Sequence, residues 1–235
     1  MTTHTDHNVR RVLGIPVSWS GLTKPDARLR AFEPENPDLL VPRAFGIGWA
    51  PNLGAIAVRL GLLRPDDSVP DLVDHIPPTT VKALRLGPLV GATAVIIAGA
   101  CTARRHDQLP TTWGLTLRPT RWGSGATAMA TPVILSAAAG VWAELANRRA
   151  KRHFASSSVD VAASADALGL QAMSMVLIAA TTRQAKNAQT TRLWPIAGLA
   201  TAPAVSTGVL VTAVRSALRR LDHKLRRDKR GSSTP

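Results

Sequence analysis

Apolar and charged residues are segregated along this chain. Residues 86–103 form an uncharged run of 18 positions with arginine on both sides. At about 1.5 Å per helical residue such a run reaches roughly 27 Å, close to the ~30 Å hydrocarbon core of a bilayer. Residues 123–143 and 193–214 are uncharged for 21 and 22 positions, and basic residues lie close by. Residues 161–182 form a weaker run, because it contains Asp166 and Gln171 and only 167–182 is free of charge.

The distribution of basic residues decides in favour of the fourth run. With four spans, the amino-terminal region, the 147–160 loop and the tail share one side and hold 22 of the 29 Lys and Arg residues. Positive charge marks the cytoplasmic side, so both termini are expected there. Three spans would carry the tail's eight basic residues across the membrane. The expected fold is therefore an all-α integral membrane protein, with four transmembrane helices at about 84–103, 123–146, 161–182 and 193–214 and a small N-terminal cytoplasmic domain. The first thirty residues hold no apolar core of signal-peptide length, so the first span is expected to direct insertion.

Outside the spans the chain divides by composition. Residues 1–11 read as a flexible terminus and 12–63 as a small cytoplasmic domain mixing apolar, turn and basic positions. Asn36-Pro37-Asp38 is a turn signal, and Asn52 is a candidate N-cap for a short helix that either packs in this domain or lies on the bilayer. Residues 64–82 carry four prolines and four aspartates and read as an acidic linker. Residues 215–235 form a basic tail with Leu218, Leu221 and Leu225 on one helical face. Pro203 is expected to kink the fourth span. Gly87/Gly91, Ala94/Ala98, Ser136/Gly140 and Ala204/Gly208 are small pairs spaced by four that allow close helix packing.

The short outer loop "DQLPTTWGLTLRPTRWG" joins the first two spans. Its Trp113 and Trp122, with Trp142 and Trp194, fall near span ends, where an indole meets both a wet and an apolar phase. Pro110 and Pro119 favour a bent, extended loop over another helix.

Composition adds a formal net charge of +14. Basic residues just inside a span are what topology requires, and anionic lipids attract them by roughly 1 kcal/mol each. Arg219, Arg220, Lys224, Arg226 and Arg227 are therefore candidate lipid contacts, a protein partner is the next reading, and no nucleic acid is expected. Catalysis needs converging titratable groups, and the six histidines at 4, 7, 75, 106, 153 and 223 are scattered. Ser156 to Ser158 have no base nearby in sequence. "GIGW" at 46–49 lacks the third glycine and acidic partner of a dinucleotide fold and reads as a tight turn. Glu144, four residues before Arg148, reads as half of a helical ion pair. Cys101 is the single cysteine, so no intramolecular disulfide is possible. No enzyme, cofactor or metal is expected.

Two stretches resemble known families. "LP" at Leu109-Pro110 and "RPTRWG" at 118–123 resemble the loop after the first span in domain of unknown function 1648. That domain occurs in bacterial membrane proteins, including an immunity and signalling receptor against a secreted killing peptide. "LGIPVSW" at 13–19 and "ENPDLLVPRAFGIGWAPN" at 35–52 are similar to domain of unknown function 5808, a small module often found beside the first. Asn36, Pro37, Asp38, Val41, Pro42, Arg43, Gly46, Gly48, Trp49 and Asn52 recur there in order. The resemblance implies a non-catalytic protein of the bacterial inner membrane, with immunity or sensing toward an extracellular peptide. Trp113, Arg118, Arg121 and Trp122 are then the candidate outer-loop contacts, and the cytoplasmic motif the candidate partner surface. The alternative is an accessory subunit of a transporter or permease, suggested by the kinked fourth span and the cytoplasmic domain.

Overall fold

The computed structural model describes residues 10–22, 24–67, 69–114, 118–153, 159–186 and 194–231. His4, His7, Ser156 to Ser158 and Arg192 lie outside the described residues, as does most of the expected flexible terminus. The chain separates into two compact units, one built from residues 1–77 and 210–235 and the other from 78–209.

The first unit departs from the all-α expectation. It contains β1 (Arg10–Val12), β2 (Ile15–Ser18), α1 (Pro25–Leu29), β3 (Leu40–Pro42), β4 (Gly46–Ile47), β5 (Trp49–Pro51), α2 (Leu53–Arg59) and α3 (Val69–Leu72). The strands are antiparallel and pair in the order β1-β2-β4, with β3-β5 as a separate ribbon. Leu13 and Gly14 close the first hairpin with φ of 53° and 80°, the left-handed pair that a two-residue turn between twisted strands requires. Leucine is uncommon in that region, and here it is 97% exposed.

Pleating and register put Val12, Ile15, Val17 and Ile47 on one face of the three-stranded sheet. Pro16 and Ser18 on the other face are buried, whereas Ile47 is 66% exposed. The sheet therefore turns an apolar face outward.

Asn52 is the centre of this unit and is fully buried. Its Oδ1 accepts from the backbone N–H groups of Gly54 and Ala55, capping α2, and from that of Glu33 at 3.0 Å. Its Nδ2 donates to the carbonyls of Glu33 at 2.9 Å and Asn36 at 3.0 Å. Every polar valence of the carboxamide is thus spent on backbone. Gly54 has no room for a side chain, since a Cβ would lie 2.7 Å from the Glu33 backbone. Of the two readings of the short helix, packing is the observed one: Gly54, Ala55 and Ala57 on α2 are buried.

The Pro-rich stretch 64–82 is shorter as a joint than its composition suggests. Val69, Leu72 and Ile76 are buried at helical spacing, and Arg64 and Asp67 close a turn through two hydrogen bonds. Helix α4 begins at Pro78, as proline's fixed φ suits a first helical turn.

The second unit holds α4 (Pro78–Arg105), β6 (Gln108–Trp113), β7 (Pro119–Ser124), α5 (Gly125–His153), α6 (Val161–Lys186) and the first half of α7 (Trp194–Gly231). All four helices are long and apolar enough to cross a membrane. Helix α7 runs unbroken past residue 214, so the basic tail is its continuation, and residues from 210 belong to the first unit.

Helix α6 is the most enclosed, with 56% of its most apolar window buried against 22% for α4. Enclosure explains its polar residues. Gln171 donates through Nε2 to the Pro88 carbonyl of α4 at 2.7 Å, its carboxamide filling the space where Gly91 lacks a side chain. Asp166 accepts from Ser206 of α7 at 2.8 Å. Asp160 caps α6 through Ala163 N–H, and Asn147 of α5 accepts from Asp160 N–H at 2.8 Å.

Small residues set the helix spacing, though not every predicted pair takes part. Gly140 lies against Ala92 and the Pro88 carbonyl, and a Cβ at Gly169 would lie 2.5 Å from the Ala202 carbonyl oxygen of α7. Gly208 faces open space instead. Glu144 and Arg148 pair at 2.8 Å, but Arg148 is 66% exposed, so the pair contributes only a few tenths of a kcal/mol by general experience, about 0.3–0.5.

Candidate functional site

The loop between α4 and α5 is an antiparallel β-hairpin. Its root is apolar: Leu109 is fully buried and packs with Val95 of α4, Met129 of α5 and Ile178 of α6. Pro110 is buried beside it. The "LP" step of the sequence is thus the anchor that seats the hairpin on three helices.

A second tie is polar. Trp113 donates its indole N–H to Gln184 Oε1 on α6 at 2.7 Å, and Gln184 is only 4% exposed. Replacing Trp113 with Phe leaves that buried carbonyl without its donor, a loss of about 1–3 kcal/mol. Thermal unfolding of the purified protein in detergent should show a lower midpoint for Trp113→Phe than for Trp122→Phe, because among the described residues only Trp113 of the two ties its indole to a buried group. Equal midpoints would remove Trp113 as a tie.

Above this root the hairpin is open to solvent. Arg118, Thr112, Thr120, Arg121 and Trp122 are exposed, with Thr112 opposite Arg121 and Pro110 opposite Trp122 across the strands. The register shifts around Thr111, an irregularity that increases the local twist of the strands. Thr112 and Thr120 share a hydroxyl hydrogen bond at 3.0 Å. All four outer-loop candidates therefore sit on one element. Trp113 holds it in place, while Arg118, Arg121 and Trp122 are displayed.

The motif residues between Asn36 and Asn52 mostly build the fold. Asn36 accepts from Asp38 N–H at 3.0 Å, an Asx turn. Arg43 donates Nε to the Trp49 carbonyl at 2.9 Å, closing the bend that Gly46 (φ 86°) and Gly48 (φ 92°) make possible. Pro37 offers its carbonyl to Arg59, and Pro42 pairs across strands with Trp49. Only Trp49, 45% exposed, offers a large apolar contact from this set.

The five basic tail residues separate. Arg220 donates Nη1 to the Ile76 carbonyl at 2.9 Å, and Arg226 pairs with Asp222 at 3.0 Å. Arg220, Lys224 and Arg227 line a cleft that Arg219 and Arg226 do not. Sequence reasoning missed Arg215, whose guanidinium donates twice to the Leu62 carbonyl. Its partner lies 153 residues away, and no local pattern signals such a bond.

Among the described residues no three His, Cys, Asp or Glu side chains converge to hold a metal ion. No protein-family model, curated protein or solved structure matches the chain.

Proposed function

We propose that this chain is a non-catalytic, four-span protein of the bacterial inner membrane, with both termini cytoplasmic and the β6–β7 hairpin facing outward. In this reading the hairpin is the surface that meets an extracellular peptide, in immunity or in sensing. The observation that carries it is the hairpin's construction: a buried apolar root and an indole bond to a buried glutamine hold an element that displays Arg118, Arg121 and Trp122. Exposed aromatic and arginine side chains on a rigid support are what peptide contact surfaces favour. The basic stretch of α7 is read as meeting anionic lipid.

Expression in a peptide-sensitive strain tests the first part. Protection is expected against one member of a panel of secreted killing peptides, with loss on Arg121→Ala/Trp122→Ala. Unchanged killing across the panel, with the protein in the membrane fraction, would sink the immunity reading. Labelling of intact cells with an impermeant reagent tests topology separately, since neither terminus should react.

A second reading, an accessory subunit of a transporter or permease, is favoured by the outward apolar face at Val12, Ile15 and Ile47. It expects a larger membrane protein to co-purify. A lone monodisperse species in mild detergent would count against it.

A further inference from the structure

Residues 220, 223, 224 and 227 of α7 share one helical face, being separated by three, four and seven positions. That face borders a cleft of about 520 Å³ whose opposite side is the Asp74–His75 turn. The volume falls within the range of small-molecule sites. Arg220 is fixed at its edge, because its guanidinium is tied to the Ile76 carbonyl, one residue beyond His75.

Charge in the cleft is unbalanced. Arg220, Lys224 and Arg227 face a single carboxylate, Asp74, and Leu221 supplies the apolar part of the lining. The nearby acid Asp222 is already paired with Arg226. The Nδ1 atom of His75 is buried without a hydrogen-bond partner among the described residues, and His223 adds a second imidazole to the rim.

We propose that this cleft binds a phosphate monoester or diester, from a lipid headgroup or a soluble metabolite. A carboxylate has two oxygens with about four lone-pair sites in one plane, whereas two guanidiniums, an ammonium and imidazole N–H groups offer more donors than that. A phosphate group, with more oxygens and a tetrahedral spread, matches them. Asp74 then accepts from a hydroxyl of the esterified alcohol, which favours glycerol-like esters over bare phosphate. The proposal deepens the lipid-contact part of the reading above, and its soluble arm stands without it.

The full chain in nanodiscs of phosphatidylcholine provides the test, with glycerol phosphate and inorganic phosphate titrated by calorimetry. Saturable binding is expected, weakened about tenfold or more in Lys224→Gln/Arg227→Gln. Arg10→Gln/Lys24→Gln removes the same charge from exposed positions of the same unit outside the cleft and is expected to bind within about twofold of the parent. Native mass spectrometry from mixed phosphatidylcholine and phosphatidylglycerol nanodiscs distinguishes the sources. Retained phosphatidylglycerol that blocks glycerol phosphate assigns the headgroup, and its absence alongside soluble binding assigns the metabolite. No saturable binding in either arm, or equal losses in the two double variants, overturns the site. Circular dichroism of both variants guards against misfolding.

Discussion

Asn52→Ala is expected to unfold the strand-rich first unit while α4, α5 and α6 keep their structure. The side chain caps α2 and satisfies three further backbone groups at Glu33 and Asn36, all from a fully buried position. Losing a cap costs about 1 kcal/mol, and each buried group left unpaired costs about 1–3 kcal/mol more. The total is roughly 4 kcal/mol or above, against the ~5–15 kcal/mol that holds an ordinary domain together. Hydrogen exchange on the full chain in detergent should show fast exchange across residues 33–59 and slow exchange across 86–103. Asn52→Asp keeps the acceptor but turns a donor into a second acceptor facing two carbonyls, so a severe loss is expected there also. Unchanged protection at 33–59 in the alanine variant would refute Asn52 as the centre of the unit.

Gly169→Val should have the largest effect within the helical unit. Its Cβ would meet the Ala202 carbonyl, which is backbone and cannot rotate away. Helices α6 and α7 must then separate, and the Ser206–Asp166 hydrogen bond that crosses between them is lost. Overpacking of this kind costs about 1–3 kcal/mol, and a chain of this length loses about 2–4 °C in Tm per kcal/mol. Gly208→Val is the matched control, since open space surrounds that position. Its midpoint is expected within about a degree or two of the parent, as for most uncrowded substitutions. Similar losses in the two variants would mean that α6–α7 contact at Gly169 is not what limits stability.

The four long helices were legible because uncharged runs of bilayer length are a strong and local signal. The ends of α5 and α7 were not. Expected limits at 146 and 214 mark where charge begins, yet α5 continues to His153 and α7 to Gly231. Alanine, leucine and arginine sustain a helix as readily in water as in an apolar phase, so a change of polarity need not end one. The start of α6 at Val161 was better defined, because Asp160 is a cap.

The strands escaped notice for a different reason. At two to four residues each, those of the first unit are too short to show alternation, and the turn that closes the first hairpin puts leucine where glycine or asparagine is the usual signal. In the 64–82 stretch, the prolines drew attention from Val69, Leu72 and Ile76, whose spacing was on view. The tryptophans and arginines of the 107–123 loop were readable as a group, but Gln184, 71 residues beyond Trp113, was not readable as its partner. One wall of the basic cleft was likewise visible on α7, and the other, at Asp74 and His75, was not.

For a chain inserted as proposed above, the enclosure of α6 bears on the order of events during biosynthesis. In a bilayer, a segment bearing an aspartate and a glutamine gains less from lipid alone than its neighbours do. Gln171 finds its acceptor only on α4, and Asn147 of α5 holds the N-terminal turn of α6. Lateral release of α6 from the insertion machinery would therefore follow that of α4 and α5, with the earlier pair serving as its solvent.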